Sequence, residues 1–341
     1  MKRDVWRTHE ALDPAFERAW SHRLGRAPHA NFSLRADYLR WEAEHGHRAL
    51  ACLIEEGDRA AALVLRAENS GWTSGWQWRW QAVMEDPSRR DAVGLTPEEA
   101  AWLFSHAQAV AEGRRLRFHL PVAPPSGVPG FRAATTLVQR LACTDEELLR
   151  AMHKSKRRMV QKAQREGYRV EVARTIEQFK AFWLLQVATY ARHGVRIAGQ
   201  ADTVPGPGEL WREWELPWMC LLIGSKGGTI ETGSGEGCFP GGIMEGRTAA
   251  TSELARKDGA YALVCYDEAR LGRDRGHHWL NLGGDTTFKR HTAGTLAEPL
   301  SIYCWMAGGA LGGMADHAVA WSVRARGALR ALARRREGED T

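Results

Sequence analysis

The apolar run Trp279–Leu282 ends in Gly283-Gly284 and continues Asp285-Thr286-Thr287-Phe288-Lys289-Arg290. Paired glycines let the backbone approach a neighbour closely. A lysine a few residues on adds a compact ammonium that can be desolvated there. Such a group can stabilise the oxyanion formed when an acyl group is transferred. The same residues also describe a turn carrying a surface lysine, and residue types alone leave both readings open.

A second cluster is cationic. From Leu148 to Arg169 there are eight Lys or Arg and one acid, Glu166, and from Arg324 to Arg336 there are six arginines and no acid. Clustered cations point to a polyanionic partner, nucleic acid or phosphates; two solvated helix faces would give the same pattern. Trp76, Trp78 and Trp80 alternate, which puts them on one face of a strand, as core or as an aromatic platform. Gly233-Ser-Gly-Glu-Gly237 has the composition of a phosphate loop but lacks its Lys-Ser/Thr, and reads as a flexible loop between strands. His193, His277, His278 and His291 are possible acid–base groups with no partner evident in sequence. No Gly-x-Ser-x-Gly elbow or Ser-His-Asp signature is present. The six cysteines form no C-x-x-C pair, so no metal site is expected and they read as reduced, mostly buried thiols.

These residues need elements to position them. Residues 9–24 and 34–45 read as helices, with Asn31 and Ser33 as cap-like residues between them. Ala49–Glu55 and Ala60–Arg66 flank the turn Glu56-Gly57-Asp58 and read as a hairpin. Thr96–Gly113 opens Thr-Pro-Glu-Glu, a helix start, and Arg114–Leu120 and Phe131–Leu141 read as strands. The second half repeats the order. A basic helix over Thr144–Glu166 starts with the capping box Thr144-x-x-Glu147 and stops at Gly167; Leu148, Met152 and Val160 form its buried stripe. There follow a strand Arg169–Ala173, a helix Ile176–His193, strands near Trp218–Ile223, Gly228–Thr232 and Gly241–Arg247, a helix Gly259–Arg273 and a strand His277–Leu282. The expected class is α/β, as a duplicated unit.

At 341 residues the chain exceeds what one core usually serves, so two domains are expected, 1–142 and 143–341. Hydrophobic content of 44% and charged content of 26% are those of a soluble globular protein. No apolar run is long enough to span a membrane. The start MKRDVWRTHEALDP continues charged, without the apolar core of a secretory signal, and a cytoplasmic location is expected.

The stretch Glu146-Glu147-Leu148-Leu149…Met152…Arg157-Arg158…Lys162-Ala163…Gly167 resembles the Fem family of peptidyltransferases (FemABX), whose members carry E-E-L-L…M…R-R…I-R-K-A…G-V after their first domain. Tyr168 stands where the family usually has Val. The strand ending in Gly-Gly followed by Phe288-Lys289 is similar to the family's D-x-G-G and F-K pair. Asn281 replaces the usual acid, and the loop before Phe288 is shorter than in many members.

The resemblance implies two tandem acetyltransferase-like (GNAT) domains with mixed sheets flanked by helices. It implies aminoacyl-tRNA as donor and an amine of a peptide or small molecule as acceptor, as in cell-wall or antibiotic assembly, with no cofactor. It places Lys289, with Phe288 beside it, at the acyl-transfer centre. Lys154, Lys156, Arg157, Arg158, Lys162 and Arg165 become the tRNA face; Trp76, Trp78, Arg192 and Asp285 are candidates for holding the acceptor. Two rivals share features: an acyl-coenzyme A N-acyltransferase of the same fold, whose Q/R-x-x-G-x-G/A helix opening is missing before residue 260, and a non-catalytic RNA-binding protein.

Overall fold

The computed structural model describes residues 2–68, 71–73, 82–86, 93–141, 143–192 and 214–308. Trp76, Trp78, Trp80, His193 and the basic run from Arg324 lie outside them.

The first part of the chain forms β1 (Lys2–Arg7), α1 (Pro14–Gly25), α2 (Ala36–Glu44), β2 (Ala49–Glu56), β3 (Arg59–Glu68), β4 (Gly71–Thr73), β5 (Ala82–Met84), α3 (Pro97–Ala111), β6 (Leu116–Leu120) and β7 (Gly130–Arg140). Then come α4 (Asp145–Ala151), α5 (Lys154–Arg165), β8 (Arg169–Val172), α6 (Ile176–Arg192), β9 (Met219–Lys226), β10 (Thr229–Gly237) and β11 (Ile243–Thr251). The last described elements are α7 (Glu253–Asp258), α8 (Ala260–Asp274), β12 (Trp279–Gly284), α9 (Thr287–Ala293) and β13 (Ala297–Ala307).

The thirteen strands among the described residues belong to one sheet, ordered β1-β2-β3-β4-β6-β13-β7-β12-β11-β10-β9-β8, with β5 beside β3. The order reads alike from either end. Three antiparallel pairings lead inward to a parallel one, β4–β6 or β11–β12, and antiparallel pairings close the middle. This palindrome is the duplicated α/β unit expected from sequence. At its centre β13 lies between β6 and β7, and β7 between β13 and β12, so each arm is completed by a strand from the other part of the chain.

Three local readings change. Residues 2–7, not read as structure from sequence, form edge strand β1 against β2, and the first helix begins at Pro14, where the Asp13 side chain accepts from Ala15 N–H. The helix over 144–166 is two helices: Met152 and His153 take extended backbone, and His153 N–H bonds the His291 carbonyl at 2.8 Å. The capping box at Thr144 and the left-handed Gly167 (φ 82°) occur as expected. The segment Gly233–Gly237 is not a flexible loop but the end of strand β10, paired on both sides with β9 and β11. Its glycines make room for rings: a Cβ at Gly233 would lie 2.8 Å from Phe182, at Gly235 2.1 Å from Trp214 and at Gly237 2.2 Å from Phe32. The residues between them, Ser234 and Glu236, point to the other face.

Helix α3 buries Leu103, Phe104, Ala107 and Val110 in the first arm, an apolar filling. Its counterpart α8 presents Tyr261, Cys265 and Glu268 at helical spacing instead. Polar chemistry is gathered in the second arm.

Candidate active site

Strands β11 and β12 are parallel neighbours through only three residue pairs, ending at Glu245–Asn281. Beyond that point β11 runs on to Thr251 while β12 ends at Gly284, through Gly283 at φ 73°. Both arms of the sheet have such a parallel junction, and here the gap holds a cavity of about 430 Å³. Residues 245–249 form one wall and 281–284 the other; Ser234, Tyr190, the Tyr261–Cys265–Glu268 stripe and Lys289 complete it.

Lys289 does not sit on a loop. Thr286 caps α9, its side chain accepting from the Lys289 N–H, and the helix turns the lysine back over the wedge. The ammonium donates to the Leu282 carbonyl, and a Cβ at Gly283 would lie 3.5 Å from Nζ. Asn281 holds this turn: its Oδ1 accepts from Gly283 N–H at 2.9 Å and from the Thr136 hydroxyl. An amide oxygen does the accepting here, so this turn is held without a carboxylate at position 281.

Behind the stripe on α8 lies a feature that sequence reasoning missed. Glu236, 0% exposed on β10, and Glu268, 2% exposed on α8, stand close enough for each to influence the other's ionisation. Ser234 Oγ donates to Glu236 Oε1 at 2.5 Å. Burial pushes both carboxyl groups up, and Lys289 is the cation that opposes the shift. The neighbouring carboxyl adds to the shift at Glu268, so ionising both groups together is disfavoured. Burial also pushes Tyr261 and Cys265 up. The signal for Glu236 was available in the strict alternation of Gly233-Ser-Gly-Glu-Gly237; nothing in sequence marks Glu268.

The remaining candidates divide. Lys154, Arg158 and Arg165 are exposed on α5. Arg157 is half-buried and donates to the Arg150 carbonyl at 2.8 Å, and Lys162 bonds the Lys257 carbonyl at 2.9 Å and pairs with Asp258 at 3.2 Å. Lys156 is buried, its ammonium 4.0 Å from the Phe288 ring centroid, and Phe288 stacks on Tyr261 at 5.4 Å. Phe288 therefore links α5, α8 and α9 rather than lining the cavity. Arg192 donates to the Thr251 carbonyl and pairs with Glu253 at 3.8 Å, fastening α6 near Tyr190. Asp285 is gripped by Arg290, with one Nε–Oδ1 contact of 2.6 Å. Five of the six cysteines are buried and Cys143 is half-buried, all as free thiols. Among the described residues no group of three His, Cys, Asp or Glu is placed to hold a metal ion, and no helix is long and apolar enough to cross a membrane.

No protein-family profile matches this chain, and no curated protein matches it in sequence. Among solved structures, the chain superposes on FemX with a TM-score of 0.62 at 11% identity, over 89% of this chain and 97% of that one. A conserved protein of unknown function from Bacteroides thetaiotaomicron gives 0.53 at 13% identity, over 87% and 98%. A DUF2156 domain from Agrobacterium fabrum, assigned to a lysylphosphatidylglycerol synthetase, gives 0.51 at 13%, over 89% and 96%. At these identities the likeness is one of fold. The chain has an α/β fold like that of FemX, as the sequence resemblance implied.

Proposed function

We propose that the chain is an acyltransferase that moves an aminoacyl group from aminoacyl-tRNA to an amine of a peptide or small-molecule acceptor, forming an amide. The observation that supports it most is Lys289: a lysine ammonium held by a backbone carbonyl at the mouth of a strand wedge, over a cavity large enough for an aminoacyl ester. An aminoacyl ester is already activated, so the protein has only to align an amine with it and stabilise the oxyanion. The exposed cations of α5 stand on the same arm of the sheet, and phosphate neutralisation with counterion release would hold the donor there. The fold shared with FemX is in keeping with this, and a role in antibiotic or cell-wall peptide assembly is part of the same reading.

The coenzyme A alternative gains nothing from the geometry. Helix α8 follows Gly259 at φ 75°, and a Cβ there would lie 2.6 Å from Met159 of α5. The start of α8 is thus covered by the basic helix instead of opening onto a diphosphate loop. The test is incubation with a pool of charged tRNAs and candidate amines, read by mass spectrometry. Ribonuclease should abolish product and coenzyme A esters should not restore it; full activity with acetyl-coenzyme A and no RNA would refute the proposal.

A further inference from the structure

Aminolysis of an ester has a requirement that Lys289 does not meet. The attacking nitrogen must lose a proton, and the departing alkoxide oxygen must gain one. An ammonium held on a carbonyl can stabilise the oxyanion, but it is poorly matched to both proton transfers at neutral pH.

Glu268 lines the cavity together with Lys289 and Gly283, and Glu236 stands behind it, out of contact with the cavity. The two carboxyl groups are buried neighbours, and Glu236 is held by the Ser234 hydroxyl at 2.5 Å. The other titratable or charged groups lining the cavity are Tyr261 and Cys265 on α8, Glu245 and Arg247 on β11, Tyr190 on α6 and Lys289 on α9. Tyr261 and Cys265 are held in their neutral forms by burial. A nearly buried carboxyl group beside a second one, facing a cavity with a cation held on a carbonyl, is equipped to give a proton and take it back.

We propose that Glu268 is a catalytic proton donor and Glu236 its positioning partner, forming a relay for the ester leaving group. The inference rests on the acyl-transfer reading above and adds the proton path to it. The neutral amine attacks the ester carbonyl and a C–N bond forms, giving an ammonium nitrogen and an oxyanion beside Lys289. Glu268 gives its proton to the leaving oxygen as the C–O bond breaks, releasing a free hydroxyl. The carboxylate pair then takes the extra proton from the nitrogen, leaving the amide and restoring the starting state. No net proton, electron or further reactant is consumed.

The first test needs no donor. Infrared spectra of the wild-type protein at neutral pH should show a buried protonated-carboxyl stretch that is lost in Glu268→Gln; its absence from the wild type overturns the proposal. The second compares leaving groups in single turnover with one acceptor amine. Glu268→Gln should slow transfer from charged tRNA by on the order of 100-fold or more, but spare a para-nitrophenyl aminoacyl ester, whose leaving group needs no proton. Glu236→Gln should keep Glu268 in place and shift the pH profile of the tRNA-dependent rate. Equal loss with both donors, with unchanged thermal stability, would overturn the relay, as would no loss with either. A wild type that uses the aryl ester but no charged tRNA overturns the donor assignment instead and leaves the infrared result to judge the pair.

Discussion

The ammonium of Lys156 stands 4.0 Å from the ring centroid of Phe288, the residue next to Lys289. A basic side chain of α5 is thus turned inward, and burial holds its pKa below the usual lysine value. Replacing it with methionine keeps the stem and removes the charge. The expected result is a stability loss of about 1 kcal/mol from the missing cation–π contact, with no change in the salt dependence of tRNA binding. Denaturant melts and salt titrations measure the two separately. A flattened salt slope would return Lys156 to the phosphate-contacting set.

The outer face of α5 should behave in the opposite way. Lys154, Arg158 and Arg165 are exposed, and the triple alanine variant should weaken binding of every tRNA alike. The slope of log K against log salt should fall by about 2 to 3, since each phosphate contact contributes close to one. Arg157 and Lys162 are less suitable probes, because both hold backbone carbonyls. Unchanged affinity for the triple variant would mean a merely solvated face.

Lys289→Ala should lower the single-turnover rate on the order of 100- to 1000-fold, with a smaller effect on tRNA affinity. Lys289→Arg should rescue only part, because a planar fork does not replace a point charge at the Leu282 carbonyl. Arg290 is not an inert control, since its guanidinium grips Asp285 at the turn into α9. Lys180→Ala on α6 serves that purpose and should leave the rate unchanged.

His277 is 3% exposed, and burial pushes its pKa down to about 4 from 6.5. Between those values the unfolded chain binds more protons than the folded one, so stability rises with pH across that window and is flat above it. As pH falls from 6.5 to 4, the penalty grows to about 3 kcal/mol. Denaturation at stepped pH should show His277→Gln with a shallower acid limb than the wild type, whatever its absolute stability. An equally steep limb would assign the acid sensitivity elsewhere.

Elements with strong local signals were legible from sequence. The capped starts at Thr96 and Thr144, the left-handed stop at Gly167 and the hairpin at Gly57 all depend on short-range chemistry. Leu148, Met152 and Val160 are buried as read, although the break at Met152 and His153 puts Leu148 and Val160 on different helices. What failed depended on distant partners. The break at His153 exists because the carbonyl of His291 takes its N–H. The strand through Gly233–Gly237 exists because rings from Phe182, Trp214 and Phe32 fill the space that side chains would occupy. A motif singled out Lys289, which lines the cavity, but Glu268 lies in an ordinary helical sequence, and only the fold brings it near Glu236.

The interleaving of β7 and β13 bears on how the chain is made. On the ribosome, β6 and β7 emerge long before Ala297–Ala307, yet in the finished sheet they are separated by that strand. The early arm must therefore wait with an unfilled slot, its inner strand edges unpaired, while the residues between Arg140 and Ala297 are translated. At typical bacterial to eukaryotic elongation rates that interval is on the order of ten seconds. Stalled or truncated chains ending before Ala297 should accordingly be held by chaperones or aggregate, and the two arms should acquire protease resistance together, late in synthesis.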